Sequence, residues 1–159
     1  MTQQLEISLT VNGEKVRASV PVRQNLVDFL RGEIGLTGSH VGCEHGVCGA
    51  CTLEVDGKAV RGCLMLAVQA DGAAVTTVEG LADSGRGQQL RDAFRAHNAL
   101  QCGYCTPGML ASALEYVDAG GSADRDAIRQ HISGNYCRCT GYQAIVDAIA
   151  DVVERGSKT

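Results

Sequence analysis

Hydrophobic and polar residues alternate along the first half of the chain, which is the pattern of β-strands that bury one face. The run LEISLTVNGEKVRASV (residues 5–20) alternates on both sides of Asn12, and its Asn-Gly pair is typical of a tight hairpin turn. A second run, CTLEVDGKAVRGCLM, predicts another hairpin that turns at Asp56, and AVTTVEG predicts a last strand. Between the hairpins, the apolar residues within 26–30 predict one short helix.

The second half of the chain has helical periodicity instead. The segments QLRDAFRAH, TPGMLASALEYVDAGG, DRDAIRQHISGN and TGYQAIVDAIADVVER each predict a helix. Thr106 is the expected N-cap of the second of these helices, before Pro107. Thr140 and Gln143 have the spacing of a capping box at the start of the last helix. Between the two halves, EGLADSGRGQ (residues 79–88) is small and polar and predicts a linker.

This change of pattern predicts an α+β protein of two domains. We assign residues 1–80 to a β-rich domain with one helix, and residues 81–159 to an all-α domain of about four helices. Each domain has a small core that contains no Trp. Small domains often need a metal or a crosslink for stability, so the cysteines are of particular interest.

Charge and hydropathy exclude several classes of function. The net charge is −4 and the basic residues are scattered, whereas a nucleic-acid-binding surface needs clustered Lys and Arg. No apolar run reaches the roughly 20 residues of a membrane-spanning helix, and the first residues lack the layout of a signal peptide. We therefore expect a cytoplasmic protein with no nucleic-acid partner and no membrane insertion. In that reducing compartment, the eight cysteines favour metal ligation or catalysis over disulfides.

Four of the cysteines lie in the β-rich half, with the spacing C-x4-C-x2-C-x11-C. They are Cys43, Cys48, Cys51 and Cys63. The opening C-x4-C-x2-C is the plant-type ferredoxin spacing for a 2Fe–2S cluster. The loop that carries it, GCEHGVCGACT, is rich in glycine, which allows backbone N–H groups to come close to cluster sulfurs. We interpret Gly38, Gly42, Gly46 and Gly49 in this way. The spacing therefore predicts a first 2Fe–2S cluster.

The other four cysteines lie in the helical half, with the spacing C-x2-C-x31-C-x-C. They are Cys102, Cys105, Cys137 and Cys139. Each pair precedes a predicted helix N-terminus, where free N–H groups and the positive end of the helix dipole favour a thiolate. This arrangement predicts a second cluster held by four thiolates.

Three other interpretations of the cysteines have to be weighed. Structural zinc also takes four thiolates from CxxC pairs, although the first quartet does not have a zinc-knuckle spacing. The CEH step at residues 43–45 resembles half of a Rieske centre, but no matching histidine follows Cys63. The CGYC pair resembles a thioredoxin-like motif, which leaves the last two cysteines unexplained. The four histidines show no metal-binding pattern, and no nucleophile triad, P-loop or G-x-G-x-x-G motif is present. We therefore expect no catalytic residue on this chain.

Two clusters in a chain of this length would make it an electron carrier. The radius of gyration of such a globule is roughly 15 Å, so the clusters would lie within tunnelling distance of each other. An electron carrier needs a partner at each end. A free-standing ferredoxin is the competing hypothesis, but a ferredoxin needs only the first quartet.

Three stretches, GCEHGVCGACT, LQCGYCTPGM and GNYCRCTGYQAIVDAI, closely resemble the small iron–sulfur subunit of the xanthine oxidase family of molybdenum hydroxylases. That family includes carbon monoxide dehydrogenase and the dehydrogenases of aldehydes and N-heteroaromatic compounds. The resemblance covers essentially the whole chain and all eight cysteine spacings. It implies a plant-ferredoxin-like β-grasp domain followed by a four-helix bundle that binds the second 2Fe–2S cluster.

The resemblance also implies a function and two partners. The chain would be the electron-transfer subunit that carries electrons from a molybdenum–pterin centre to FAD, with the second quartet nearer molybdenum and the first nearer the flavin. Gln101 and Cys139 would contact the molybdopterin (as its cytosine dinucleotide), although Gln101 could instead cap a loop. The molybdenum cofactor would lie on a large subunit and FAD on a medium subunit, in an (αβγ)2 assembly. The loop GCEHGVCGACT is more similar to the three-subunit members than to members without flavin. The substrate stays open among carbon monoxide, aldehydes, purines and N-heterocycles.

Overall fold

The computed structural model describes residues 3–81 and 83–156 of the chain. The strands are β1 (Gln4–Val11), β2 (Glu14–Pro21), β3 (Thr52–Val55), β4 (Lys58–Arg61) and β5 (Ala74–Thr76). The helices are α1 (Leu26–Gly32), α2 (Val78–Leu81), α3 (Gly85–Ala96), α4 (Thr106–Asp118), α5 (Arg125–Ile132) and α6 (Gln143–Gly156), with a 3₁₀ turn at Ala67–Ala70. Within the described ranges, none of the helices has the length and apolar character required to cross a membrane.

The strands form one mixed sheet in the order β2-β1-β5-β3-β4. Both predicted hairpins are confirmed, since β1 pairs antiparallel with β2 and β3 pairs antiparallel with β4. Both central residues of each turn have positive φ, with Asn12 at 50° and Asp56 at 49°, as a two-residue hairpin turn of type I′ requires. Strand β5 joins the hairpins, because it pairs parallel to β1 and antiparallel to β3.

Helix α1 covers one face of this sheet and closes the first core. Its apolar residues Leu26, Phe29 and Leu30 are fully buried, and they pack with sheet residues such as Val20. Asn25 caps the helix by accepting a hydrogen bond from the N–H of Asp28 at 2.8 Å. The sheet with one helix, followed by helices alone, confirms the predicted α+β fold class.

The four longer helices, α3 to α6, surround a second core. Leu90 and Phe94 of α3, Met109 of α4, Ile128 of α5 and Ile149 of α6 are all fully buried within it. The first buried cluster spans residues 7–75 and the second spans residues 81–152. The boundary between 1–80 and 81–159 stays a prediction.

The predicted linker is wrong in its secondary structure. Of residues 79–88, the described ones lie largely in α2 and in the first turn of α3. The hydroxyl of Ser84 accepts a hydrogen bond from the N–H of Gly87 at 2.9 Å and so caps α3, while Leu81 is buried in the second core. Because the segment is rich in small and polar residues, its composition gave no indication that Ser84 caps a helix.

The two halves touch through backbone that carries no side chain. Gly49 has a φ of +74°, and a Cβ at this position would lie 2.5 Å from the carbonyl oxygen of Gly134. A Cβ on Gly108 of α4 would lie 2.1 Å from the carbonyl oxygen of Gly49. Gly49 thus makes a close approach to the helical half that the sequence did not predict, and its expected role beside the cluster sulfurs stays a prediction.

This contact predicts different costs for two chemically identical substitutions. Gly49→Ala and Gly57→Ala both place a side chain at positive φ, since Gly57 has a φ of +77°, but the site around Gly57 is open within 4 Å. Both alanine variants would lose folding free energy because an L-residue is strained in the left-handed region of φ. At Gly49 alone, overpacking adds a further loss of about 1–3 kcal/mol. Denaturant unfolding of the metal-loaded chain measures the difference. Equal losses in the two variants would contradict a tight contact at Gly49.

Candidate metal centres

The first quartet lies on the irregular loop between α1 and β3 and just beyond β4. Cys43 and Cys48 lie on the loop, Cys51 lies at its end before β3, and Cys63 follows β4. A Cβ on Gly42 would lie 3.1 Å from the Sγ of Cys48, so the backbone passes close to that sulfur, as predicted for this glycine. The β3–β4 hairpin therefore brings the distant fourth cysteine back to the other three.

Backbone amides of the loop point at the Cys43 sulfur. The N–H of Cys48 donates to Cys43 Sγ at 3.4 Å. This amide, followed by that of His45, lowers the pKa of the Cys43 thiol to about 6. The loop thus stabilises negative charge on sulfur at neutral pH, which is what a ligand thiolate requires.

Cys51 shows the opposite behaviour because it is buried. Burial, together with the neighbouring thiols of Cys63 and Cys48, raises the pKa of Cys51 to about 11. Cys51 and Cys63 also share a side-chain hydrogen bond. Like charges this close oppose each other unless a cation lies between them, and a bound metal ion reverses that effect.

The second quartet begins at the N-terminus of α4. Cys105 is the N-cap and Thr106 the first residue of the helix, so the predicted Thr106 cap is wrong by one position. The Thr106 hydroxyl oxygen is buried without a hydrogen-bond partner among the described residues. An unpaired buried hydroxyl beside Cys105 fits a site that a further group completes.

The loop before α6 holds Cys137 through two side chains. The hydroxyl of Thr140 donates to Cys137 Sγ at 3.1 Å, and the N–H of Cys137 donates to the hydroxyl of Tyr142 at 2.8 Å. Burial raises the pKa of the Cys137 thiol, but hydrogen bonds from the hydroxyl and N–H of Thr140 outweigh it and lower the pKa overall. The predicted capping box is therefore wrong. The Thr140 hydroxyl donates to the sulfur of Cys137, and the N–H of Gln143 donates to the carbonyl oxygen of Gly141 instead of to Thr140.

The thiols of the second quartet meet in pairs across the two segments. Burial and a hydrogen bond with Cys137 raise the pKa of Cys105 to about 12. A hydrogen bond with the Cys102 side chain raises the pKa of Cys139. All four residues line a cavity of about 160 Å³. Residues 32 positions or more apart in the sequence are thus brought together, as the spacing predicted.

The donor set fits clusters of two irons. Within residues 3–81 and 83–156, no three histidine, cysteine or acidic side chains are arranged around one point that could hold a single metal ion. The thiols lie beside one another within each quartet, with Cys51 near Cys63 and Cys48, and Cys105 near Cys137 and Cys102. Four cysteine thiolates are what a 2Fe–2S cluster takes from a protein.

The two quartets are directly connected. The N–H of Tyr136 donates to the carbonyl oxygen of Cys48 at 2.8 Å, so the neighbour of one candidate ligand bonds to a candidate ligand of the other quartet. Cys48 also lines the cavity of the second quartet. The geometry brings the two sites side by side.

Asn135 holds together the junction, which is the contact between the loop of the first quartet and the segment before Cys137. This residue was not identified from the sequence. The side chain is 2% exposed. Its Nδ2 donates to the carbonyl oxygen of Gly49 at 3.1 Å, and its Oδ1 accepts from the hydroxyl of Ser112 at 3.0 Å. A lone Asn after Gly134 is typical of a turn that ends a helix, and no sequence pattern marks it as a bridge between domains.

Gln101 and Cys139, the predicted pterin contacts, lie on one exposed surface. Both residues are exposed, and Cys139 contacts Cys102, the neighbour of Gln101. The Gln101 side chain makes no hydrogen bond to any described residue, which disfavours the alternative role as a loop cap. His97 and His131 have ordinary roles, since His97 pairs with Asp151 and His131 lies 3.4 Å from a carboxylate oxygen of Glu115.

Comparison with known families finds both cluster-binding units. A family model described as a 2Fe-2S iron-sulfur cluster binding domain matches residues 9–82. A second, described as a 2Fe-2S binding domain, matches residues 77–150. Together they cover most of the chain.

Known proteins of similar length match over nearly the whole chain. The caffeine dehydrogenase subunit gamma of Pseudomonas sp. (strain CBB1) is 54% identical, over 92% of this chain and 89% of the relative. The nicotine 6-hydroxylase small subunit of Paenarthrobacter nicotinovorans is 50% identical, over 94% of this chain and 90% of the relative.

A solved structure agrees with both. A chain of quinoline 2-oxidoreductase from Pseudomonas putida 86 superposes with a TM-score of 0.92 at 48% identity, covering 99% of this chain and 98% of that one. The chain therefore belongs to the small iron–sulfur subunits of the xanthine oxidase family of molybdenum hydroxylases, and it is an electron-transfer subunit of an oxidoreductase complex.

Proposed function

We propose that this chain carries single electrons from a molybdenum–pterin centre on a large partner subunit to FAD on a medium partner subunit. Cys102, Cys105, Cys137 and Cys139 bind the 2Fe–2S cluster nearer molybdenum. Cys43, Cys48, Cys51 and Cys63 bind the cluster nearer the flavin. Each cluster, when bound, supplies a site that accepts and releases one electron. The observation that carries the proposal is the hydrogen bond from Tyr136 N–H to the Cys48 carbonyl, because it holds the two ligand loops together.

Exposed apolar side chains flank the candidate ligands of both sites, which supports a partner contact at each site. Five of the six exposed large hydrophobic residues in the described chain lie close to a candidate ligand in sequence. They are Val47 and Leu64 near the first quartet, and Leu100, Tyr104 and Tyr136 near the second. Exposed apolar surface of this kind is typical of protein interaction sites. We assign Val47 and Leu64 to the flavin subunit and Leu100, beside Gln101, to the molybdenum subunit. Tyr104 and Tyr136 lie where the two halves meet, since Tyr104 stacks on His40 and the N–H of Tyr136 donates to Cys48.

Gln101 and Cys139 face the molybdopterin in this proposal. The free amide of Gln101 has donors and an acceptor for the edge of a pterin, and the exposed Cys139 adjoins it through Cys102. The pterin is bound as its cytosine dinucleotide on the large subunit, and the assembly is (αβγ)2. Relatives named as gamma or small subunits support such partners.

We also propose the cytoplasm as the compartment, since it keeps the eight thiols reduced until the clusters form.

We propose that the complex oxidises an N-heteroaromatic compound, because caffeine, nicotine and quinoline give the relatives their names. We expect such a compound, added to the anaerobic native complex, to bleach the visible absorbance of the clusters. An aldehyde and carbon monoxide serve as controls. Bleaching by either control, with none by an N-heteroaromatic compound, would contradict the substrate class.

Serine substitutions test the two ligand sets separately. Cys105→Ser is expected to remove one of two EPR signals of the reduced protein, and Cys51→Ser the other, because each removes one iron ligand from a different site. Iron analysis of the unsubstituted chain is expected to give about four irons per chain, two for each site. Loss of both signals in each variant would contradict independent sites. A colourless protein with zinc in place of iron would overturn the proposal and favour a structural scaffold.

Replacement of Gln101 tests the pterin contact. Gln101→Ala in the assembled complex is expected to slow cluster reduction by substrate about 10-fold or more, the effect of losing a hydrogen bond worth roughly 1.5 kcal/mol. Both EPR signals are expected to persist unchanged. Gln130→Ala is the control, because Gln130 is also an exposed glutamine but lies on α5. Equal stopped-flow rates in the two variants would leave Gln101 without this role.

A further inference from the structure

Arg61 lies at the end of β4, two residues before Cys63, and its half-buried side chain points toward the second half of the chain. Its Nη2 donates to the carbonyl oxygen of Gly134 at 2.7 Å, and at a longer 3.4 Å to Oδ1 of Asn135. Its Nη1 donates to the hydroxyl of Thr52. The planar guanidinium thus spans the junction of the two domains, a geometry that a lysine ammonium cannot reproduce.

Both ends of this bridge belong to ligand-bearing segments. Thr52 directly follows Cys51, and its hydroxyl also donates to the carbonyl of Gly49 at 2.7 Å. Gly134 and Asn135 lie three and two residues before Cys137. Arg61 therefore holds the backbone of the first quartet against the backbone of the second.

The positive charge of Arg61 has no carboxylate partner. Every hydrogen-bond acceptor that it contacts is a neutral hydroxyl, carbonyl or amide oxygen. None of the ion pairs among the described residues includes it. Partial burial reduces screening by solvent, so this charge acts more strongly at a given distance than the charge of a fully exposed arginine.

A fixed cation here has a direct consequence for electron transfer. A cluster held by four thiolates is anionic and gains a further negative charge when it is reduced. A nearby positive charge stabilises the reduced form more than the oxidised form, and net charge and hydrogen bonding are the terms by which proteins set such potentials. Because Arg61 reaches both ligand loops, its charge acts on both sites.

We propose that Arg61 is a positioning residue that joins the two cluster-binding loops and, as an unneutralised cation at the contact between them, raises the reduction potentials of both clusters together. This inference rests on the proposed ligand sets. It adds a residue that sets the driving force between the ends of the chain, without contact to substrate or to the partner cofactors.

Redox titration of the iron-loaded chain, followed by EPR of each reduced cluster, tests the proposal. Arg61→Gln removes the charge and retains an amide donor, so both midpoint potentials are expected to become more negative. Arg61→Lys loses the planar fork but retains the charge, so its midpoint potentials are expected to stay close to those of the unsubstituted protein. Arg17→Gln is the matched control, because Arg17 is exposed on β2, at the opposite edge of the sheet from β4. Shifts no larger than those of Arg17→Gln, or a shift in one cluster only, would overturn the proposal.

A second variant covers the case in which Arg61→Gln does not assemble. Arg61→Met removes the charge, keeps an unbranched apolar stem of similar length and leaves the Asn135 bonds to Gly49 and Ser112 untouched, so both potentials are again expected to become more negative. Unchanged potentials in Arg61→Met would overturn the proposal as well. Either failure, with two EPR signals still present, would leave the proposed electron-transfer function intact, because the serine variants test that function separately.

Discussion

The buried amide of Asn135 is the contact on which the rest of the arrangement depends. It lies where the loop of the first quartet, helix α4 and the segment before Cys137 meet, and it bonds to Gly49 and Ser112. Gly49 and Gly108 leave no room for side chains there. If this amide lost its partners, several buried polar groups would be unpaired at once. An incomplete network would therefore strongly destabilise the folded chain. Two small cores, each modest alone, thereby behave as one framework for the candidate sites.

The second constraint is the crowding of thiols. Where a sulfur is reached by amides or a hydroxyl, as at Cys43 and Cys137, its pKa falls; where it is buried against other thiols, as at Cys51 and Cys105, its pKa rises. Such groups cannot all ionise together without a cation, and a bound metal supplies one. Metal binding and folding are then coupled, because the loops that carry the thiols have little regular structure of their own.

Local patterns in the sequence were sufficient for the fold class, for both hairpins and for the four long helices, because alternation, turn pairs and helical periodicity act over short distances. The same patterns failed for Ser84, Thr106 and Thr140, where the neighbouring structure decides which group a hydroxyl meets. The junction was not predictable at all. Arg61 and Gly134 are 73 residues apart, and Asn135 and Gly49 are 86 apart, so no sequence window contains both partners. The cysteine spacings could be interpreted because metal ligation restricts residue type, whereas a hydrogen bond to a backbone carbonyl does not.

The distribution of polar and apolar groups follows from the task of an electron carrier. Between the two candidate sites the contacts are buried and polar, and Arg61 lies among them without a carboxylate partner. The apolar ends are the exposed side chains next to the candidate ligands, Val47 and Leu64 beside the first quartet and Leu100 beside the second. A rigid interior serves transfer within the chain, because tunnelling depends steeply on distance. Apolar ends serve transfer between chains, because a partner that covers them excludes water from the sites and lowers the dielectric constant around them. The cation at the junction would then act over a longer range in the assembled complex than in the isolated chain.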